Sequence, residues 1–177
     1  LDQASAMTQQ IEYQLARARS SAGKKHSGRG VMVPDVAAPI LRAMQRLHPD
    51  KQFKMLADGC NGLVLPLDAV DFAEILSILL DNAGKWASRD VTLSFAGDGA
   101  DSCTVRIEDD GPGIPENLLE QAFAVGTRFD PDVAGSGLGL AIAQDLCAAM
   151  GAELTLANGA RGLIATLRYA AKFGDDA

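Results

Sequence analysis

The sequence has few aromatic residues and no closely spaced pair of cysteines. Only 5% of its 177 residues are aromatic, whereas Ala, Leu, Ile and Val are plentiful. This composition favours an α/β or α+β domain over a β-sandwich. The three cysteines are widely spaced, with no CxxC pair and no histidine at zinc spacing. We therefore expect reduced thiols, with neither a disulfide framework nor a zinc site.

Long apolar runs and an excess of positive charge are also missing. The longest apolar stretch, residues 72–80, is interrupted by Glu74 and is far shorter than the roughly 20 residues that span a bilayer. The net charge of −7 would repel a nucleic-acid backbone. We therefore expect no nucleic-acid partner and no membrane contact in this chain. Because the sequence starts at Leu1, without a Met or a signal peptide, we interpret it as a piece of a longer protein.

The first 22 residues carry the spacing of a helix that packs against another helix. Small and apolar residues recur three and four positions apart from Leu1 to Ala22. A helix that lies on its own domain is the alternative interpretation. Residues 20–30 are rich in Gly, Ser and Lys, which is typical of a flexible connection. We predict a stem helix over 1–22, a linker over 23–29 and a separate domain over 30–177.

Within the domain, periodicity predicts strands mixed with helices. Helices are predicted at about 35–47, 68–87 and 138–150, and strands at about 30–33, 53–57, 63–65, 91–95, 104–107, 153–157 and 163–169. The strands at 91–95 and 104–107 alternate like a pair joined by a turn. The last two strands are expected to form a closing hairpin.

An acidic, glycine-containing turn follows the strand at 104–107. Its sequence, residues 108–115, is EDDGPGIP. Two glycines one residue apart let the backbone pass close to a flat ligand, and the carboxylate of Asp110 can accept a hydrogen bond from an exocyclic amine. Taken alone, the segment also fits an ordinary acidic turn.

Two further segments carry groups suited to phosphate. Residues 135–140, GSGLGL, open the predicted last helix, where free N–H groups and the helix dipole favour an anion. A hinge or a tight helix cap is the alternative. On the long helix, Asn82 offers an oxygen to a hard cation, and Lys85 lies three residues further on the same face. Such residues are also common on a solvated helix face.

Together the three segments resemble a known family. LLDNAGKW, DDGPGIP and GSGLGLAIA, in this order, resemble the N, G1 and G2 boxes of the histidine kinase ATPase domain, whose superfamily includes gyrase B, Hsp90 and MutL. Phe123 and residues 126–129 resemble the F box and the start of the ATP lid at 124–134. The resemblance covers about 30–170. It implies an α+β fold, a two-layer α/β sandwich of the Bergerat type with a mixed, mostly antiparallel sheet covered by about three helices.

The resemblance also implies ATP and Mg²⁺ as ligands. Asn82 would be the Mg²⁺ ligand, Asp110 would bind the adenine amine, and Lys85, Arg128 and the amides of 135–139 would hold phosphates. The implied nucleotide-binding residues are Asn82, Lys85, Trp86, Asp110, Gly111, Gly113, Ile114, Gly135, Ser136, Gly137, Leu138 and Gly139. The implied catalytic residues are Glu74, Asn82, Lys85 and Arg128.

The implied function is that of a two-component sensor kinase. Residues 1–22 resemble the second stem helix of the PhoQ-like branch, which implies a self-dimer through the stem and a cytoplasmic domain of an inner-membrane sensor. The γ-phosphate would pass to a stem histidine that is absent here, since neither His26 nor His48 fits the phosphoacceptor pattern. From there it would pass to an aspartate of a response regulator receiver domain.

One position departs from the family pattern. The N box usually has a polar residue one helical turn before the metal-binding Asn, and here that residue is Ile78. A side chain without polar atoms cannot orient water or phosphate, although Glu74, one turn earlier, can compensate. A degenerate kinase that acts as an adenine-nucleotide sensor or scaffold is therefore the alternative. A self-contained ATPase is disfavoured, because such enzymes carry a Glu base at this place.

Overall fold

The computed structural model describes residues 31–56, 64–65, 67–97, 102–127 and 137–170. The predicted stem helix, the linker and the site residues Arg128, Gly135 and Ser136 lie outside these ranges. The elements are β1 (Val31–Met32), α1 (Val33–Leu47), β2 (Gln52–Leu56), β3 (Val64–Leu65), α2 (Ala69–Trp86), β4 (Asp90–Gly97), β5 (Ser102–Asp109), two short 3₁₀ turns (Glu116–Leu118 and Glu120–Phe123), α3 (Gly139–Ala149), β6 (Ala152–Asn158) and β7 (Leu163–Ala170).

Five strands form one mixed sheet in the order β2-β4-β5-β7-β6. The β2–β4 pair is parallel, and the other three pairs are antiparallel. Strands β1 and β3 form a separate antiparallel pair. The mixed, mostly antiparallel sheet confirms the predicted α+β fold.

One face of the sheet is buried beneath the helices. The register places Ile107 of β5 between Leu93 of β4 and Ala165 of β7, and all three side chains are buried. Because successive strand residues point to opposite faces, this row belongs to one apolar side of the sheet. The buried residues of α1, α2 and α3 join it in a single core, which gives the two layers expected from the sequence.

Helix α2 is the element that carries the N box. It begins after Asp68, whose Oδ1 accepts hydrogen bonds from the backbone N–H groups of Val70 (2.8 Å) and Asp71 (3.2 Å). This N-cap satisfies two donors that the first helical turn leaves unpaired. The apolar face of α2 is fully buried, which fixes the rotation of the helix and therefore the direction of its polar last turns.

Candidate functional site

The acidic turn lies against the end of α2. A Cβ atom placed on Gly111 would collide with the backbone carbonyl of Trp86, the last residue of α2. Only glycine allows this approach, so the first glycine of the turn serves the packing of the turn on the helix. The G1 box and the N box are thereby brought together.

Asp109, the last residue of β5, turns its carboxylate into the protein. The residue is only 4% exposed, and its Oδ1 accepts hydrogen bonds from the N–H groups of Gly111 (2.8 Å) and Leu163 (3.2 Å). Burial raises the pKa of Asp109, although both N–H donors oppose the rise. The other oxygen, Oδ2, makes no hydrogen bond within the described residues. Because every fully buried side-chain oxygen among those residues has a partner, Oδ2 must keep some accessible surface.

Asp110 is held differently from its neighbour. Its Oδ1 accepts hydrogen bonds from the N–H groups of Arg89 (2.8 Å) and Asp90 (3.0 Å), and its own N–H donates to the carbonyl of Asp90 (3.2 Å). Partial burial raises the pKa of Asp110, but the backbone donors outweigh it, and the net shift is downward. The carboxylate predicted to bind adenine therefore fastens the turn to the start of β4, and its adenine contact stays a prediction.

A segment that the sequence did not single out completes this side of the site. At the turn end of the β6–β7 hairpin, Asn158, the last residue of β6, accepts a hydrogen bond from the N–H of Ile114 (3.0 Å) and donates one to the carbonyl of the same residue (2.7 Å). Gly162, with φ +68°, lies against Asp109, and Leu163 supplies the N–H donor described above. The Asn-Gly pair at 158–159 signals a turn, but nothing in it indicates a contact with residue 114.

The last two turns of α2 carry the predicted metal and phosphate groups. Asn82 is partly exposed, and the Nζ of Lys85 lies 2.6 Å from the Oδ2 of Asp81. The other oxygen of Asp81, Oδ1, lies 2.9 Å from the Nε2 of His48. The imidazole of His48 in turn covers Gly84, where a Cβ atom would lie 2.6 Å from it. Lys85 is thus exposed at the surface and paired with Asp81.

The glycine segment at 137–139 approaches the same helix. Helix α3 begins at Gly139, and the side chain of its N-cap residue, Leu138, makes no capping hydrogen bond. A Cβ atom on Gly139 would lie 3.2 Å from Cγ2 of Ile78, so the start of α3 lies beside α2 one turn before Asn82. Residues four apart lie on one helix face, which places Asn82 on the side of α2 that α3 approaches. The described parts of all three boxes therefore meet along the second half of α2.

One amide oxygen, that of Asn82, is the metal ligand that the sequence predicts on α2. No group of three or more His, Cys, Asp or Glu side chains that could bind a metal occurs in the described part of the chain. Glu74 makes no hydrogen bond or ion pair with the described residues and lies two turns before Asn82. A single amide oxygen fits Mg²⁺, which usually keeps several waters and takes its other ligands from substrate phosphates.

Comparison with known proteins decides the family. Residues 67–171 match the family described as histidine kinase-, DNA gyrase B-, and HSP90-like ATPase. The chain belongs to this ATPase family. Among its curated relatives is the sensor protein kinase CarS of Pseudomonas aeruginosa, with 44% identity over 101 residues. The aligned part covers 57% of the chain and 22% of CarS. The chain is 32% identical over 152 residues to the two-component sensor PhoQ of the same species, covering 85% of the chain and 33% of PhoQ. It is also 32% identical over 146 residues to PhoQ of Escherichia coli K12, covering 82% of the chain and 30% of that protein.

Solved structures agree on the fold of this ATPase domain. A mycobacterial sensor histidine kinase, MprB, superposes with a TM-score of 0.68 at 23% identity, covering 79% of this chain and 95% of the other. Full-length ShkA in complex with AMPPNP superposes with a TM-score of 0.72 at 20% identity, covering 91% of this chain and 36% of ShkA. The chain therefore has the fold of histidine kinase catalytic domains, and it spans 22% to 33% of the length of the curated relatives above. Among the described residues, no helix has both the length and the apolar character needed to cross a membrane.

Proposed function

We propose that this domain binds ATP with Mg²⁺ and transfers the γ-phosphate to a histidine of a dimerisation stem, for relay to an aspartate of a response regulator receiver domain. The observation that carries the proposal is the meeting of the three boxes along α2. It brings an amide oxygen, a cation and the N-terminus of α3 to one side of the fold. Such a set matches the charge of a triphosphate.

Each group has a distinct task in this proposal. Asn82 would hold Mg²⁺, which when bound neutralises charge on the phosphate oxygens. Lys85 exchanges its partner Asp81 for a phosphate oxygen, and backbone N–H groups at the start of α3 donate hydrogen bonds to the phosphate chain. Arg128 and the amides of Gly135 and Ser136 are proposed to join them, and Trp86 lies beside the base. Catalysis then consists mostly of positioning and charge neutralisation.

Asp109 is the carboxylate that the geometry favours as the acceptor for the adenine amine. Its Oδ2 keeps accessible surface and makes no hydrogen bond within the described residues, whereas Asp110 is fastened to β4. A buried carboxylate also makes stronger hydrogen bonds than an exposed one, because water competes less. Asp110, the candidate taken from the sequence, is kept as the alternative, and Gly111, Gly113 and Ile114 shape the pocket in either case.

A nucleotide sensor without kinase activity is the second candidate. It is favoured by Ile78, whose side chain packs against Gly139 where the family usually has a polar residue. An apolar group there leaves the phosphates with one polar partner fewer. Glu74, one turn before Ile78 on α2, is the acidic side chain proposed to compensate.

The deciding experiment adds ATP and a purified stem that contains the phosphoacceptor histidine, then follows phosphohistidine. Phosphohistidine that appears with this domain and not with its Asn82→Ala variant supports the kinase. Tight binding of an ATP analogue in calorimetry, without phosphohistidine, supports the sensor. A gain of phosphohistidine in Ile78→Asn would assign the defect to that side chain. Absence of nucleotide binding, with or without Mg²⁺, would contradict both candidates.

The place of the domain in a longer protein is proposed from its relatives. CarS, PhoQ and MprB are named as sensors. We propose that residues 1–22 form part of a dimerisation stem, that residues 23–29 link it to the domain, and that the domain lies on the cytoplasmic side of an inner-membrane sensor.

A further inference from the structure

The turn end of the β6–β7 hairpin holds the acidic turn at two points. At one point the amide of Asn158 makes two hydrogen bonds with the backbone of Ile114, as a neighbouring strand would. At the other, the N–H of Leu163 donates to the carboxylate of Asp109. The two strand ends of one hairpin thus fix both the carboxylate and the backbone five residues after it.

The second glycine of the acidic turn is explained by this contact. Gly113 has φ +71°, and a Cβ atom on it would lie 2.5 Å from Oδ1 of Asn158. The close approach that glycine permits here is therefore made by a protein side chain. Any larger residue at 113 would push the Asn158 amide away from Ile114.

Asn158 combines an exposed position with a hydrogen bond at each of its two polar side-chain atoms. The residue is exposed, so it adds little to the apolar core, yet its Oδ1 and its Nδ2 are both bonded to one residue 44 positions earlier. A surface side chain with two such bonds orders the backbone it contacts. Since that backbone belongs to the G1 box, the order is supplied where the base is proposed to bind.

We infer that Asn158 is a positioning residue of the adenine pocket, which holds the G1 turn in its binding conformation without contacting the nucleotide. The inference rests on the ATP site proposed above. Its role concerns the base side of the site, because the phosphates are proposed to bind at the start of α3, on a different element. Loss of the contact should therefore weaken the binding of AMP and the binding of ATP by a similar factor.

The test compares Asn158→Ala with Asn158→Asp, which keeps the acceptor for the N–H of Ile114 and loses the donor to its carbonyl. Calorimetry gives the Kd for AMP and for a nonhydrolysable ATP analogue, and thermal unfolding is followed in parallel. We expect Asn158→Ala to weaken both nucleotides about tenfold and Asn158→Asp to weaken them less, with thermal midpoints close to that of the unchanged chain. Asn117→Ala is the matched control, because Asn117 is also exposed and makes no hydrogen bond within the described residues.

A second measurement examines the contact directly. Amide hydrogen exchange at Ile114 should become faster in Asn158→Ala, while exchange along β7 stays unchanged. Unchanged affinity for both nucleotides in Asn158→Ala would overturn the inference. So would a loss of affinity that follows the thermal midpoint and is not reduced in Asn158→Asp. Failure of the unchanged chain to bind either nucleotide is a separate result and would refute the proposed function itself.

Discussion

Asp109 and Asp110 are neighbours in the chain and have opposite surroundings. Burial raises the pKa of Asp109, while backbone N–H groups lower that of Asp110 overall. A raised carboxyl pKa means that the ionised form costs folded-state stability, whereas a lowered pKa means that it adds stability. Substitutions that remove the charge should therefore act in opposite directions at the two positions.

Asp109→Asn should weaken binding of an ATP analogue by about ten- to a hundredfold, because a charged acceptor is lost. Its amide oxygen can still accept from Gly111 and Leu163, so the thermal midpoint at pH 7 should not fall. Since the folded pKa lies above the unfolded value of 3.8, the cost of the charge is absent below that pH and grows as the pH rises through the folded pKa. Between pH 4 and pH 7, the thermal midpoint of the variant should rise relative to that of the unchanged chain as the pH rises. A lower midpoint at pH 7 would contradict this.

Asp110→Asn should lower the thermal midpoint at pH 7 and leave affinity for the analogue within about threefold. Its carboxylate contributes stability above pH 3.8 that disappears as the pH falls through the lowered folded pKa. The difference between the variant and the unchanged chain should therefore vanish in acid. A loss of affinity confined to Asp110→Asn, with none in Asp109→Asn, would return the adenine contact to Asp110.

The sequence held a signal that distinguishes the two carboxylates. Along β5, alternate residues are buried, including Val105 and Ile107, and Asp109 is the next in that series. The predicted strand ended at residue 107, two residues too early, because apolar alternation stops there while backbone pairing continues to Asp109. A boundary set by apolar residues alone therefore hid the inward-facing carboxylate.

Glycines with a backbone conformation that few other residues adopt lie close to both ends of α3. Gly137 has φ +69°, and a Cβ atom on it would lie 2.7 Å from the carbonyl oxygen of Thr127. Gly151, at the other end of α3, has φ +70° and open space around it. The two glycines share a conformation and differ in their neighbours.

Gly137→Val should lower affinity for the ATP analogue more than tenfold, because the side chain displaces the backbone before α3. Gly151→Val is the matched control, since it carries the same left-handed strain of about 1–2 kcal/mol without a collision. Both variants should lose thermal stability, and only the first should lose affinity. Equal affinities in calorimetry would remove phosphate binding from this segment.

The sequence predicted the elements well and their mutual contacts less well. Helix α2 was expected at about 68–87 and is observed at Ala69–Trp86, because its apolar period and its Asp68 cap both mark the boundary. The parallel β2–β4 pair and the contact of Asn158 with Ile114 depend on tertiary packing. No local pattern near residue 158 encodes a partner 44 positions away.

Across the whole domain, nucleotide and Mg²⁺ should act as stabilising ligands. At an ATP-analogue concentration 100 times its Kd, binding to the folded state should add about 2.7 kcal/mol of stability. Chelation of Mg²⁺ should reduce this gain, and Asn82→Ala should make it insensitive to Mg²⁺. Denaturant unfolding with and without the chelator measures both effects. A gain in Asn82→Ala that still depends on Mg²⁺ would exclude this residue as the ligand.

The order of the sheet places β5 directly beside β7, with the end of one next to the start of the other. Ribosomes deliver the chain from its N-terminus, so all three boxes emerge before the closing hairpin exists. Until residue 158 has been added, Ile114 lacks both of its hydrogen bonds to Asn158, and until residue 163 has been added, Asp109 lacks one of its two donors. A nascent chain should thus be unable to bind adenine nucleotides until translation of the domain is nearly finished.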